Sequence, residues 1–263
     1  MEFIDTHCHL QFEKYLGRED EVLAAASRSG VKKVICVGTT LADSQAAAVL
    51  AKVRPAVWAT AGVHPHDAAN FLADLNGPKK LKKIGSLPKV VAIGETGLDF
   101  YRQISAKEVQ EAALRAQIEV GLELGLPLVL HVREAWEDFW RIFDSYKSAG
   151  QRMRGVVHSF STHSRHLDEA LARGLYVGLN GIMTFTRDRG QLEAARSVPL
   201  DRLVLETDAP FLTPAPFRGE LCEPKHVLAI ADFLAKLRGE NLEELAAATT
   251  ANAIRLFGLE KKL

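Results

Sequence analysis

Eight short apolar runs, each followed by a longer amphipathic stretch, constrain the fold of this 263-residue chain more than any other feature. The runs are residues 3–4, 34–37, 57–59, 90–93, 128–130, 156–157, 175–177 and 203–205. Most of them are apolar at every position, as expected of parallel strands that are covered on both faces. Strands that alternate with helices predict βαβ units and a parallel sheet.

The stretches between the runs have helical periodicity. Residues 105–124 place apolar side chains on one stripe, and Ser105 and Glu108 have the spacing of a capping box. Residues 134–146 are predicted to form the next helix. Near the end of the chain, Asn241 is expected to cap a further helix.

Eight strand–helix repeats in a chain of this length favour one α/β domain over residues 1–263, folded as a single (β/α)8 TIM barrel. Such barrels typically have about 250 residues. The alternative is a doubly wound open sheet. We disfavour it because no G-x-G-x-x-G motif follows the first apolar run.

Composition narrows the class of protein further. The chain is 47% hydrophobic, which supports a core and excludes disorder, and its 33 basic residues balance its 33 acidic ones. Three cysteines give no disulfide framework, and we find neither a signal peptide nor an apolar run long enough to cross a membrane. We therefore expect a soluble cytoplasmic protein without a membrane partner, and a monomer. The zero net charge gives no basic footprint for nucleic acid.

Histidines and carboxylates are concentrated where the predicted strands end. The residues concerned are His7, His9, His64, His66, Glu95, His131, His158 and Asp208. In a barrel the carboxyl ends of all strands meet at one face, where active sites are built. Because His7 and His9 are two positions apart in a strand, their imidazoles are expected to share a face, while Cys8 between them points toward the helices as a small buried residue.

Six of these residues form a set of metal ligands: His7, His9, Glu95, His131, His158 and Asp208. Imidazole nitrogen and carboxylate oxygen suit zinc, manganese or iron, and a buried carboxylate needs such a partner. Six ligands exceed the need of one tetrahedral ion and suit two ions about 3.5–4 Å apart that share a carboxylate and a hydroxide. The expected reaction is hydrolysis of a phosphoester, an amide or an ester, and the ligand set does not choose among them.

The sequence resembles the TatD family of metal-dependent deoxyribonucleases, within the amidohydrolase-like barrels. The matching stretches are residues 3–10 (FIDTHCHL), 62–66 (GVHPH), 94–102 (GETGLDFYR), 155–161 (GVVHSFS), 205–210 (LETDAP) and 249–253 (TTANA). H-x-H alone is weakly specific. The whole set, in order from end to end of the chain, is highly specific.

The resemblance implies two divalent ions, as Mg²⁺, Mn²⁺ or Zn²⁺, and cleavage by a metal-bound hydroxide. His7, His9, Glu95 and Asp208 would hold the first ion, and Glu95 would bridge to a second ion held by His131 and His158. Asp208 could also accept the proton of the attacking water. His64 and Arg102 would contact the substrate, whereas His66 would be structural or would support a ligand from behind.

The activity implied by the resemblance is 3'-5' exonuclease cleavage of DNA ends, most often single-stranded. The alternative is ester or amide hydrolysis, with D-aminoacyl-tRNA or a small molecule as substrate, and a third hypothesis is a member that binds metal without catalysis. Residues 220–224 (ELCEP) lack the basic pair that family members often carry there, which favours local engagement of a strand end over a long basic groove. Four aromatic residues lie near the predicted mouth, where ring packing is the simpler interpretation: Phe100, Tyr101, Phe160 and Phe211.

Overall fold

The computed structural model describes residues 1–259 and contains one parallel sheet of eight strands, which are ordered as in the chain. The strands are β1 (Phe3–Cys8), β2 (Val31–Cys36), β3 (Val57–Ala61), β4 (Val90–Asp99), β5 (Leu128–Arg133), β6 (Gly155–Val157), β7 (Tyr176–Leu179) and β8 (Leu203–Leu205). Every predicted run lies on one strand, and only Val37 and Leu175 fall just outside. The predicted (β/α)8 barrel is confirmed, and the last four residues of the predicted domain, 260–263, lie outside the described part.

Helices occupy the connections between the strands. They are α1 (Glu19–Arg28), α2 (Leu41–Val53), α3 (Ala68–Ala73), α4 (Gly77–Gly85), α5 (Lys107–Leu124), α6 (Trp136–Ser148), α7 (Ser164–Ala172), α8 (Arg189–Ser197), α9 (Val227–Arg238) and α10 (Leu242–Phe257). Among the helices of residues 1–259, not one combines the length and the apolar character that a membrane span requires.

Two predicted helix starts are wrong and one is confirmed. The capping box is absent because α5 begins after Ala106, and the Ser105 hydroxyl donates instead to the carbonyl of His66. The helix predicted from residue 134 begins two residues later, since Glu134 has a φ of 52°, which is not helical. The Asn241 side chain accepts hydrogen bonds from the first turn of α10, as predicted.

The apolar residues of the strands divide into two layers. Every strand contributes to an inner cluster, and β4 contributes two residues: Ile4, Ile35, Trp58, Val91, Ala92, Val129, Val156, Tyr176 and Val204. Leu256 and Phe257 at the end of α10 join this cluster, so the helix covers the end of the barrel at which the strands begin. Residues adjacent to these in the strands pack under the surrounding helices in a separate, larger cluster.

The barrel closes between β1 and β8 through backbone hydrogen bonds of three residues that were predicted as metal ligands. The Asp208 N–H donates to the carbonyl of His7 over 2.8 Å, and the His9 N–H donates to the carbonyl of Ala209 over 2.7 Å. Cys8 and Ala209 form a parallel bridge. Closure therefore fixes His7, His9 and Asp208 relative to one another through the backbone.

The register of β1 against β2 shifts between Asp5 and Cys8. Strict alternation from the inward Ile4 would turn His7 outward. In the structure His7 instead faces inward and Cys8 is buried in the outer cluster, because an irregularity of this kind re-aims the following side chains. A second shift, between Ile93 and Thr96, accompanies the inward placement of Glu95 on β4.

Candidate metal centre

Glu95 lies at the centre of the carboxyl-terminal face, with imidazoles on both of its oxygens. Oε2 is 3.4 Å from His7 Nε2. Oε1 is 2.8 Å from His131 Nδ1, 3.4 Å from His158 Nε2 and 3.6 Å from His64 Nε2. The carboxylate is buried, and this arrangement directs its two oxygens at different groups of histidines.

Asp208 forms the second carboxylate of the cluster. Its Oδ1 is 3.6 Å from His7 Nε2 and 3.5 Å from His9 Nε2. The His9 ring is held from behind, because its Nδ1 donates to the carbonyl of Val37 over 2.8 Å and so leaves Nε2 toward the centre. The backbone of Asp208 has a φ of 62°, which a non-glycine residue rarely adopts.

A buried carboxylate on β1 connects the first strand to the last. Asp5 Oδ1 accepts from the N–H groups of His7 and Thr207, over 3.2 and 3.0 Å. Its Oδ2 accepts from the Thr207 hydroxyl over 2.6 Å. Burial raises the pKa of Asp5 to about 7, although the hydrogen bonds from Thr207 oppose this. We call Asp5 and Thr207 the β1–β8 clasp.

Two further carboxylates support the imidazoles from behind, and the sequence had assigned neither a role. Glu206 Oε1 is 3.0 Å from His158 Nδ1 and accepts from the Ser159 N–H. Asp99 Oδ2 is 2.9 Å from His66 Nε2 and 3.4 Å from His131 Nε2. The position of Glu206 directly after an apolar run was the signal available in the sequence.

Burial and the neighbouring imidazoles set the charges of the cluster. Burial alone would raise the pKa of Glu95, but His158 and His64 outweigh it and hold that pKa well below its usual range. Burial alone would raise the pKa of Asp208, but the hydrogen bond with His9 outweighs burial and lowers that pKa below its usual value. Burial lowers the pKa of His64 to about 3. Both central carboxylates are therefore ionised at neutral pH.

The donor set fits divalent cations. Within the described residues neither ring nitrogen of His7, nor Nε2 of His131, has a hydrogen-bond partner, although all three are buried. Such orphaned nitrogens are costly unless they bind something. Three groups bring ligand atoms close enough to hold an ion: His7, His9 and Glu95; His7, His158 and Glu206; and His64, Glu95 and His131. Nitrogen and carboxylate oxygen together suit zinc or manganese.

A cavity of about 520 Å³ opens onto the cluster. Glu95, Asp208 and His64 lie on its wall together with Arg102, whose side chain is exposed at the rim. Ligand pockets have volumes of about 300–1,000 Å³, so this one suits one or two nucleotides or a small ester. The Asp99 carboxylate accepts a hydrogen bond from the Arg102 N–H over 2.9 Å and thereby fixes the loop that carries Arg102.

The structure brings together every residue that the sequence predicted for the site. The six predicted ligands converge, and the two predicted substrate contacts, His64 and Arg102, line the same cavity. His64, which was predicted as a substrate contact, also lies close enough to Glu95 and His131 to help hold an ion. The Nε2–H of His66 donates to the Asp99 carboxylate over 2.9 Å, and His66 also lines the cavity, so its structural role stays a prediction. Whether each residue binds metal or substrate stays a prediction.

A (β/α)8 barrel whose carboxyl-terminal face gathers histidines around the carboxylates of Glu95 and Asp208 defines a metal-dependent hydrolase. The model of the TatD related DNase family matches residues 4–258, and the chain belongs to that family.

Individual relatives match over nearly their whole length. The 3'-5' ssDNA/RNA exonuclease TatD of Citrobacter rodentium is 37% identical over 98% of each chain. The uncharacterized metal-dependent hydrolase YabD of Bacillus subtilis is 34% identical over 96% of this chain and 98% of its own. The crystal structure of YJJV, a TatD homologue from Escherichia coli K12, has a TM-score of 0.88 and 29% identity over 97% of this chain and 98% of that one.

Proposed function

We propose that this chain is a 3'-5' exonuclease of single-stranded DNA or RNA that uses two divalent ions, as Mg²⁺, Mn²⁺ or Zn²⁺. The placement of Glu95 carries the proposal. Its two oxygens face different histidine groups, which is the arrangement that a carboxylate bridging two ions requires. The similarity to the exonuclease of Citrobacter rodentium supports nucleic acid as the substrate.

His7, His9 and Asp208 would hold one ion with Glu95, and His131 and His158 would hold the second with the same carboxylate. When bound, such ions neutralise phosphate charge and lower the pKa of water. Glu206 fixes which nitrogen of His158 faces Glu95, since it binds the other.

The remaining steps belong to side chains of the chain itself. Asp208 lies on the cavity wall with its carboxylate toward the centre, where it accepts the proton of the attacking water. Arg102 at the rim pairs with a non-bridging phosphate oxygen, and its planar guanidinium can do so bidentately. His64 donates to the same phosphate from the buried wall.

The test is digestion of a single-stranded DNA labelled at its 5' end, with Mg²⁺, Mn²⁺ or Zn²⁺ and with EDTA. We expect a ladder that shortens from the 3' end, and a loss of at least about 100-fold in Glu95→Gln and Asp208→Asn. Glu220→Gln, an exposed carboxylate on the segment after the cavity, is the control and should retain activity. Cleavage that survives EDTA or Glu95→Gln would contradict the proposal.

An ester substrate tested in parallel separates the two hydrolytic reactions that this metal centre could support. A D-aminoacyl-tRNA that is deacylated only with metal, while the DNA stays intact, would replace the exonuclease with an ester hydrolase.

We also propose a cytoplasmic monomer. The cysteines Cys8, Cys36 and Cys222 are unpaired and buried, which is consistent with a reducing compartment.

A further inference from the structure

The mouth of the barrel has two walls of different chemistry. Phe12 and Phe211, here called the aromatic wall, follow β1 and β8. Arg102 and Arg133, here called the basic wall, lie at the ends of β4 and β5. Because the strands are ordered as in the chain, these two pairs lie on opposite sides of the eight-stranded barrel. Glu95 lies between them in the same cavity.

The aromatic wall lines the cavity on the side of β1 and β8. The Phe12 ring stacks on His9, with centroids 4.6 Å apart and planes at 14°. Phe211 meets Phe12 edge to face at 6.4 Å, and its N–H donates to the carbonyl of Asp208 over 2.8 Å. Phe211 is therefore held at a fixed distance from the proposed reaction centre while 47% of its surface stays exposed.

Exposure separates Phe211 from the other aromatic residues that the sequence placed near the mouth. Phe100 and Phe160 are 6% and 3% exposed and belong to the core. Tyr101 is 57% exposed, but the guanidinium of Arg133 covers its ring at 3.9 Å. The Lys14 ammonium is 5.8 Å from the Phe211 centroid, at the limit of about 6 Å for a cation–π contact. Core packing thus accounts for the placement of Phe100 and Phe160, and the contact with Arg133 accounts for that of Tyr101. Neither accounts for an exposed ring at Phe211.

On the other side the cavity continues. A second cavity of about 490 Å³ shares Arg133, His158 and Ser159 with the first and extends past Trp136. A strand that lies across Glu95 therefore has room to continue beyond the basic wall, and we place its end at the opposite, aromatic wall.

We propose that Phe211, supported by Phe12, is the surface on which the terminal base of the strand stacks. This inference rests on the proposed exonuclease function and names the part of its substrate that is recognised. Every base has a π face, so stacking holds a strand end without regard to sequence. The strand would run from the aromatic wall, across Glu95, to the arginines of the basic wall.

The experiment compares two single-stranded oligonucleotides that differ only at the 3' end, where one has a normal nucleotide and the other an abasic one. With the normal end, Phe211→Ala should lower kcat/KM by about 5- to 150-fold, mainly through KM, because stacking of one base is lost. With the abasic end, Phe211→Ala should match the wild type. Phe211→Trp should restore cleavage of the normal end.

Tyr101→Ala is the matched control, since Tyr101 is somewhat more exposed than Phe211 but its ring is covered by Arg133. It should leave the ratio of the two substrates unchanged. An equal loss on both ends in Phe211→Ala, or a wild type that cuts both ends equally well, would overturn the stacking proposal alone. A wild type that leaves both oligonucleotides intact with every metal would overturn the exonuclease function and the stacking with it.

Discussion

Glu206 lies behind His158, on the edge of the ring away from Glu95. Its Oε1 binds His158 Nδ1 at 3.0 Å and the Ser159 N–H at 2.6 Å. A carboxylate in this position fixes the tautomer and orientation of a metal-binding imidazole and raises its basicity. The side chain is buried against Gly178, where a Cβ would meet its carboxylate, so it has little freedom to move.

We expect Glu206→Ala to weaken metal binding by about 10- to 100-fold, because His158 loses the group that orients it. Glu206→Gln should lose less, since an amide oxygen in the place of Oε1 can still accept both hydrogen bonds. Calorimetric titration of the metal-free protein with Zn²⁺ or Mn²⁺ measures this. Glu220→Ala is the control on an exposed carboxylate. Unchanged affinity in Glu206→Ala would show that His158 does not need this partner.

At the scale of elements, the β1–β8 clasp joins the strands that close the barrel. Asp5→Ala leaves the N–H and hydroxyl of Thr207 without their acceptor, and we expect the free energy of unfolding to fall by about 1–3 kcal/mol. Asp5→Asn should cost less, because an amide oxygen still accepts and no charge is buried. Urea unfolding of the metal-free protein measures both variants.

Asp20→Ala provides the comparison for the clasp. Asp20 forms an ion pair with Arg54 on the surface, where such pairs contribute about 0–1 kcal/mol. If Asp5→Ala and Asp20→Ala had the same small effect, the clasp would add nothing to the closure of the barrel.

The β4–β5 pair, which presents Glu95 and His131, requires glycine at position 97. Gly97 has a φ of 154°, and a Cβ there would collide with the backbone of His131. We expect Gly97→Ala to destabilise the protein by about 1–3 kcal/mol and to weaken metal binding, since the strands must separate.

The control for Gly97 is Gly125→Ala, at the end of α5. Gly125 also has a positive φ, of 64°, but nothing lies within 4 Å of its added Cβ. Gly125→Ala should lower the free energy of unfolding by about 1–2 kcal/mol through backbone strain alone and leave metal affinity unchanged. Both quantities follow from urea unfolding and metal titration. Full metal affinity in Gly97→Ala would mean that β5 can shift without displacing His131.

At the scale of the whole molecule, the metal centre connects strands from all around the barrel, so metal binding should stabilise the fold. At a free concentration 100 times Kd, a ligand that binds only the folded state adds about 2.7 kcal/mol. For a chain of this size we expect a rise in Tm of roughly 5–10 °C. Scanning calorimetry with Mn²⁺ and then EDTA tests this. Glu95→Gln, which loses the central carboxylate charge, should show a much smaller rise, and an equal rise would place the stabilising ion elsewhere.

The zero net charge limits how strongly the protein attracts a nucleic-acid strand. If only the basic wall contacts phosphates, the slope of log affinity against log salt should be about −1.4, because each contact on a single strand adds about −0.7. Fluorescence anisotropy of labelled single-stranded DNA with Glu95→Gln measures binding without cleavage. Arg102→Ala should reduce the slope by about 0.7. Arg28→Ala, at the end of α1 that leads into the start of β2, should leave it unchanged, and a slope near −5 would indicate a long basic groove instead.

The sequence by itself determined the architecture and the ligand types. Continuous apolar runs are typical of strands covered on both faces, and eight of them with helices between favour a barrel. Because the carboxyl ends of these strands share one face, His7, His131 and Asp208 were expected to meet, although more than 70 residues separate each from the next.

Tertiary structure alone decided what depends on register and exposure. The shift in β1 turns His7 inward against the simple alternation of the strand, and no local pattern encodes it. Glu206 and Asp99 act through imidazoles that are distant in sequence, so their partners emerge only on folding. Phe211 has the same local character as Phe160, yet one is exposed at the cavity and the other is buried. Burial and proximity are properties of the packed chain, because they depend on which residues the rest of the fold brings alongside.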